Sequence, residues 1–114
     1  MLYSLPDRPR RKIDRTPNCQ LMINEVIFSE GPPKKIEIEI ENEGDNACSL
    51  KSSIQMKTQT DVEWTSVSVS WNPALIVSNG SSKTDFVSEW TSGENYIIKV
   101  KSEKGDIWAT QKAP

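Results

Sequence analysis

Residues Lys35 to Asn42 read Lys-Ile-Glu-Ile-Glu-Ile-Glu-Asn, a strict alternation of apolar and charged side chains that ends in Glu43-Gly44-Asp45-Asn46. On a β-strand successive side chains point to opposite faces, so Ile36, Ile38 and Ile40 form one apolar row and Glu37, Glu39 and Glu41 one wet row. Two further segments share this period. Val67, Val69 and Trp71 alternate with Ser66, Ser68 and Ser70, and Tyr96, Ile98 and Val100 alternate with Ile97, Lys99 and Lys101. The chain is therefore expected to be an antiparallel all-β domain with one face of each sheet buried.

The intervening residues supply the punctuation. Cys19 to Phe28 reads as a first strand, and Ser29-Glu30-Gly31-Pro32-Pro33 as the turn into the glutamate-striped strand, because prolines have no ladder donor. Leu50 to Thr58 reads as a third strand with Leu50, Ile54 and Met56 inward. Thr65 to Asn72 is the next, stopped by Pro73. Ala74 to Val77 and Lys83 to Trp90 follow, the latter offering Phe86 and Trp90 to the interior. Residues from Tyr96 onward form a hairpin with Ile107 to Gln111 across the turn Glu103-Lys104-Gly105-Asp106. Seven or eight short strands separated by turns predict an immunoglobulin-like β-sandwich over residues 18–114. No segment predicts a helix of about ten residues, the usual minimum for a globular helix.

Residues 1–17 differ in kind. They hold Pro6, Pro9 and Pro17 and almost no periodic apolar signal, which predicts an extended arm. The arm carries Arg8, Arg10, Arg11, Lys12 and Arg15 against Asp7 and Asp14, a net of +3; the other 9 basic and 14 acidic residues give the body −5. A chain of 114 residues makes a single domain. No run of about 18 apolar residues exists to span a membrane, and no signal-peptide core follows Met1. Histidine is absent, which removes the commonest general base and metal ligand. Two cysteines alone cannot build a zinc site. Neither catalysis nor a cofactor is expected.

The run Ile36–Gly44 resembles the "strand, Asn, x, Gly" opening of archaeal extracellular β-sandwich domains. Residues Ser92–Val100 with Glu103-Lys104-Gly105-Asp106 resemble their closing hairpin. The chain is similar over residues 18–112 to the archaellum accessory proteins FlaF and FlaG, whose ectodomains are immunoglobulin-like sandwiches of this length. The resemblance implies a static extracellular anchor that binds the surface layer or a sibling subunit. In that family the sandwich follows a membrane helix, whereas this chain opens with a Pro/Arg-rich arm.

Several constellations are candidates for function. The glutamate row, Glu43 included, spaces carboxylates about 7 Å apart along one strand, so they do not converge on a metal. It can face a basic partner or the arm, or be an outer face balanced by neighbouring lysines. The arm can lie across an adjacent subunit, serve as a plain leader, or neutralise phosphates; nucleic acid is disfavoured because only Tyr3 interleaves its charges. If the first turn folds a hairpin, Val26 lies opposite Ile38 and Cys19 and Cys48 fall about three residues out of register. The Glu43–Asn46 irregularity can absorb that as a bulge. The cysteines are then within disulfide reach, or are two unrelated small core residues. A bond would also argue for an oxidising compartment or for an archaeal hyperthermophile. Trp71 is expected in the core. On the last hairpin Ile97 points outward, and either Ile107 or Trp108 must join it, giving an apolar contact patch. Asn79-Gly80-Ser81 fits a glycosylation acceptor in a turn.

These features predict a non-catalytic structural or interaction module of an extracellular archaeal surface or filament assembly, stator-like in character. Its partners would be surface-layer, filament or sibling subunits within an oligomer or larger assembly. The alternative is a structural or decorating protein of a virus particle whose arm contacts a neighbouring subunit.

Overall fold

The alternating rows become the inner faces of two packed antiparallel sheets. A computed structural model describes residues 19–114; the basic arm, with Arg8, Arg10, Arg11, Lys12 and Arg15, lies outside the described residues. Eight strands follow in order: β1 (Leu21–Ser29), β2 (Lys35–Asn42), β3 (Cys48–Thr58), β4 (Thr65–Ser68), β5 (Leu75–Ile76), β6 (Ser81–Val87), β7 (Asn95–Ser102) and β8 (Gly105–Lys112). One sheet has the order β1-β2-β6. The other has the order β4-β3-β7-β8, with β5 attached to β3. Among the described residues no helix is long and apolar enough to cross a membrane.

Burial follows the predicted parity. Ile36, Ile38 and Ile40 are fully buried, as are Ile54, Ile98 and Val100 from the opposite sheet. Trp71, Val69, Phe86, Trp90 and Tyr96 complete the cluster between the layers. Because Ile38 has no solvent exposure, Ile38→Val is expected to cost about 1 kcal/mol in urea denaturation, from one lost methyl and its residual space. Glu39→Gln, on the other face of the same strand, is expected to stay within about 0.5 kcal/mol.

The first hairpin has Val26 opposite Ile38 and Phe28 opposite Ile36, and its irregularity falls between Ile23 and Glu25. The extra residue thus sits in β1, at Asn24, and the Glu43–Asn46 segment is instead a loop that carries the chain to the other sheet. Strand β1 begins at Leu21 rather than Cys19, because Gln20 is drawn into that loop: its N–H donates to Asn42 Oδ1 at 3.3 Å and its carbonyl accepts from Glu43 N at 2.8 Å.

The serine-valine run is a strand only as far as Ser68. Beyond it, Val69 N still donates to Ser52 O of β3 at 3.0 Å, but Asn72 N donates to Lys83 O of β6 at 3.0 Å. Thr84 Oγ1 donates to Ser70 O at 2.8 Å, and the Trp71 indole N–H to Lys51 O at 3.0 Å. The segment leaves one sheet and joins the other, keeping Val69 and Trp71 inward as it crosses. A second crossover, from β6 to β7, is held by aromatics. Tyr96 Oη accepts the Thr91 N–H at 2.7 Å, five residues upstream. That is the geometry of a tyrosine corner, which fixes a chain passing between layers. Trp90 packs edge-on against Phe28 at 5.3 Å, and its indole N–H donates to Ser29 O at 3.1 Å. Lys34 covers the Trp90 ring at 4.3 Å and donates to the Trp90 carbonyl at 2.9 Å.

Candidate interaction face

The two outer faces differ in chemistry. On the three-stranded sheet Glu37, Glu39 and Glu41 are half-buried in a line, flanked by Lys83 and Asp85 of β6. Lys83 Nζ lies 3.9 Å from Glu37, Lys35 Nζ lies 4.0 Å from Asp85, and Asn24 Nδ2 donates to Glu41 at 3.0 Å. Glu43 leaves the row, as its residue belongs to the loop. Among the described residues no three His, Cys, Asp or Glu side chains converge as a metal site would require. Such exposed cross-strand pairs contribute a few tenths of a kcal/mol each, about the scale of a surface ion pair, and with Glu25, Glu37, Glu39, Glu41 and Asp85 against Lys35 and Lys83 this face stays net acidic.

The five-stranded sheet presents a different surface. Strand β8 pairs with β7 so that Val100 faces Ile107 and Lys99 faces Trp108. The alternation therefore resolves the choice left by the sequence. Ile107 packs against the core and does not belong to the outer patch, whereas Trp108 is 57% exposed. Ile97 is half-buried on the same side as Trp108. A residue that sequence reasoning missed completes the group: Trp64, in the loop before β4, meets Trp108 edge-on at 5.5 Å. Lys99 Nζ lies 4.4 Å from the Trp64 ring centre and 4.6 Å from that of Trp108, and Lys57 Nζ lies 5.0 Å from Trp64. The signal was present in the parity of β3 and β7. With Met56 and Ile98 inward, Lys57 and Lys99 must share the outer face.

Cys19 and Cys48 are joined by a disulfide with Cα atoms 5.3 Å apart. Its placement differs from a lateral link within the first hairpin. Cys48 is the first residue of β3 and pairs with Ile76 of β5, so the bond ties the entry to β1 to the opposite sheet. Asn79 is exposed on the turn between β5 and β6 with φ of 64°, and Gly80 N donates to Val77 O at 2.9 Å. A shallow open cleft at the sheet crossover is lined by Ser68, Val69, Ser70, Asp85, Phe86 and Val87. One carboxylate among hydroxyls and apolar groups offers no acid–base pair there.

An all-β sandwich with a tyrosine corner and one aromatic, lysine-bearing outer face is the class of structure these observations define. No protein-family profile matches the chain, and no curated protein matches it by sequence. Its fold is similar to that in the archaellum periplasmic stator protein complex FlaF and FlaG from Sulfolobus acidocaldarius, with a TM-score of 0.69 at 11% identity. The match covers 94% of this chain and 100% of that one. The resemblance carried by the strand-Asn-x-Gly run and the closing hairpin is thus matched by the fold.

Proposed function

We propose that this chain is a non-catalytic interaction module of an archaellum-type surface assembly, docking onto neighbouring subunits in the manner of a stator component. The observation that carries this reading is the fold similarity, over 94% of this chain, to the FlaF and FlaG stator complex. The strand order, with β1, β2 and β6 in one sheet and β4, β3, β7 and β8 in the other, is read as immunoglobulin-like. The Cys19–Cys48 bond suits an oxidising, extracytoplasmic setting. There the exposed Asn79 turn would be open to glycosylation and the basic arm to a neighbouring subunit. No feature of the fold favours the virus-particle alternative.

The test uses the native host. A membrane-impermeant amine reagent applied to intact cells is expected to label the protein's lysines, and deletion of the gene to abolish or severely reduce swimming. Protection of every lysine until lysis, or unaltered motility, would refute the proposal.

A further inference from the structure

We propose that the outer face of the five-stranded sheet, centred on Trp64, Lys99 and Trp108, docks an acidic protein segment that also carries a large apolar side chain. This inference rests on the interaction-module reading and specifies the chemistry of the partner. The strands of this sheet bear Lys51, Lys57, Lys99, Lys101 and Lys112 against Asp106 alone. Those of the opposite face bear Glu25, Glu37, Glu39, Glu41 and Asp85 against Lys35 and Lys83. Among the described residues no carboxylate lies within salt-bridge reach of Lys57 or Lys99, in contrast to the paired Lys35 and Lys83. In the adjoining loop Asp61 turns its carboxylate to the Thr58 N–H at 3.1 Å.

The two indoles do more than shelter an ammonium group. Lys99 sits against both rings, which strips water from two sides and narrows its rotamers before any partner arrives. Among the described residues its N–H donors have no hydrogen-bond acceptor. An incoming carboxylate meets a pre-ordered cation in a partly dehydrated setting, where its attraction is stronger than in open water. Beside it, Trp108 at 57% exposure, with half-buried Ile97, offers an apolar surface of the kind that anchors interface side chains.

The same geometry discriminates among anionic partners. The rings meet at 68°, so they form no coplanar floor for a sugar ring, and Ile97 has nothing to match in a polysaccharide. Trp108 lies mid-strand, flanked on its own face by Thr110 and Asp106, and cannot reach beyond the sheet surface into a bilayer. A polypeptide supplies both carboxylates and an apolar anchor.

The experiment places the photo-cross-linker p-benzoylphenylalanine at Thr110, opposite Ile97 on this face, in the full chain expressed in its native host. The cross-linked peptide is then sequenced. An acid-rich protein segment with a large apolar residue is expected. Its recovery should fall about tenfold with Lys99→Glu, and about thirtyfold with Trp108→Ala, as for a central interface tryptophan. Lys83→Glu on the opposite sheet should leave it unchanged. Lys99→Gln, expected to fall several-fold, guards against a folding defect, and thermal melts of each variant check the same point. A cross-linked segment that is neutral or basic, or a yield indifferent to Lys99→Glu, overturns the inference while leaving the interaction module intact. Cross-links to glycan or phospholipid overturn it too. If no cross-link forms although the surface label reaches the protein, this face is not the docking face and the inference fails alone.

Discussion

Replacing Asn42 with leucine is expected to lower the stability of the domain by about 4 kcal/mol, because it would leave several buried polar groups without partners at once. Asn42 has no solvent exposure. Its amide donates to Asn46 O at 2.8 Å and Ile76 O at 3.0 Å, and its Oδ1 accepts from Gly44 N at 2.9 Å and Gln20 N at 3.3 Å. Its backbone adds Asn42 N to Gly80 O at 2.9 Å and Asn79 N to Asn42 O at 2.8 Å. One side chain thus joins the end of β2, the entry to β1, the loop between the sheets and β5. Leucine has a similar size, so volume is nearly conserved and the loss is one of polar pairing. Urea denaturation measures it; a change below about 1 kcal/mol, the worth of a single ordinary hydrogen bond, would show that the hub is dispensable.

Asn42→Asp separates the donors from the acceptors. The carboxyl keeps two oxygens for Gly44 and Gln20 but turns charge toward the carbonyls of Asn46 and Ile76. Burial and those carbonyl dipoles disfavour the ionised form, so the folded-state pKa of the introduced acid lies above its unfolded value of about 3.9. Below the unfolded pKa the neutral acid donates one O–H and most stability is retained; as pH rises through the folded pKa that contribution is lost. The stability gap between variant and wild type should therefore widen with pH and then level off.

The second large effect is expected on opening the disulfide. Cys19 and Cys48 are separated by 29 residues, and releasing a loop of that size costs roughly 3 kcal/mol by the loop-closure argument. Cys19→Ser with Cys48→Ala, the alanine chosen because Cys48 is fully buried, should lower Tm by about 15 °C in calorimetry, at roughly 5 °C per kcal/mol for a domain of this size. Reducing agent should bring the wild-type protein to a similar Tm. Identical melting with and without reductant would contradict the bond's role.

The layered architecture was legible wherever burial enforces a period of two. Ile36, Ile38 and Ile40 point inward, Val26 meets Ile38, and Tyr96, Ile98 and Val100 line the facing sheet. What stayed hidden depends on contacts between segments far apart in sequence. The run from Thr65 to Asn72 keeps its alternation while changing partners from β3 to β6, and parity alone cannot distinguish one partner from two. The displaced bulge at Asn24 is silent for the same reason: an inserted residue on an edge strand breaks no apolar row on β2. The interaction face was half legible. Ile97 followed from alternation, which left the choice between Ile107 and Trp108 open until the β7–β8 register settled it, and Trp64 reaches the group from a loop that has no period. Asn42 did leave a trace, since it continues the inward parity of the isoleucines. A polar residue at a buried position implies partners that must be found elsewhere.

The covalent tie between the sheets also decides how the domain would bear tension. A pull entering at Cys19 has two routes: along β1, where edge hydrogen bonds can peel one at a time, or across the sulfur bridge to the start of β3. The bridge is shorter and cannot yield at comparable force, so the load passes directly to a strand held on both sides by β4 and β7. The hairpin of β1 and β2 between the two cysteines stays slack, shielded from the strain its neighbour carries.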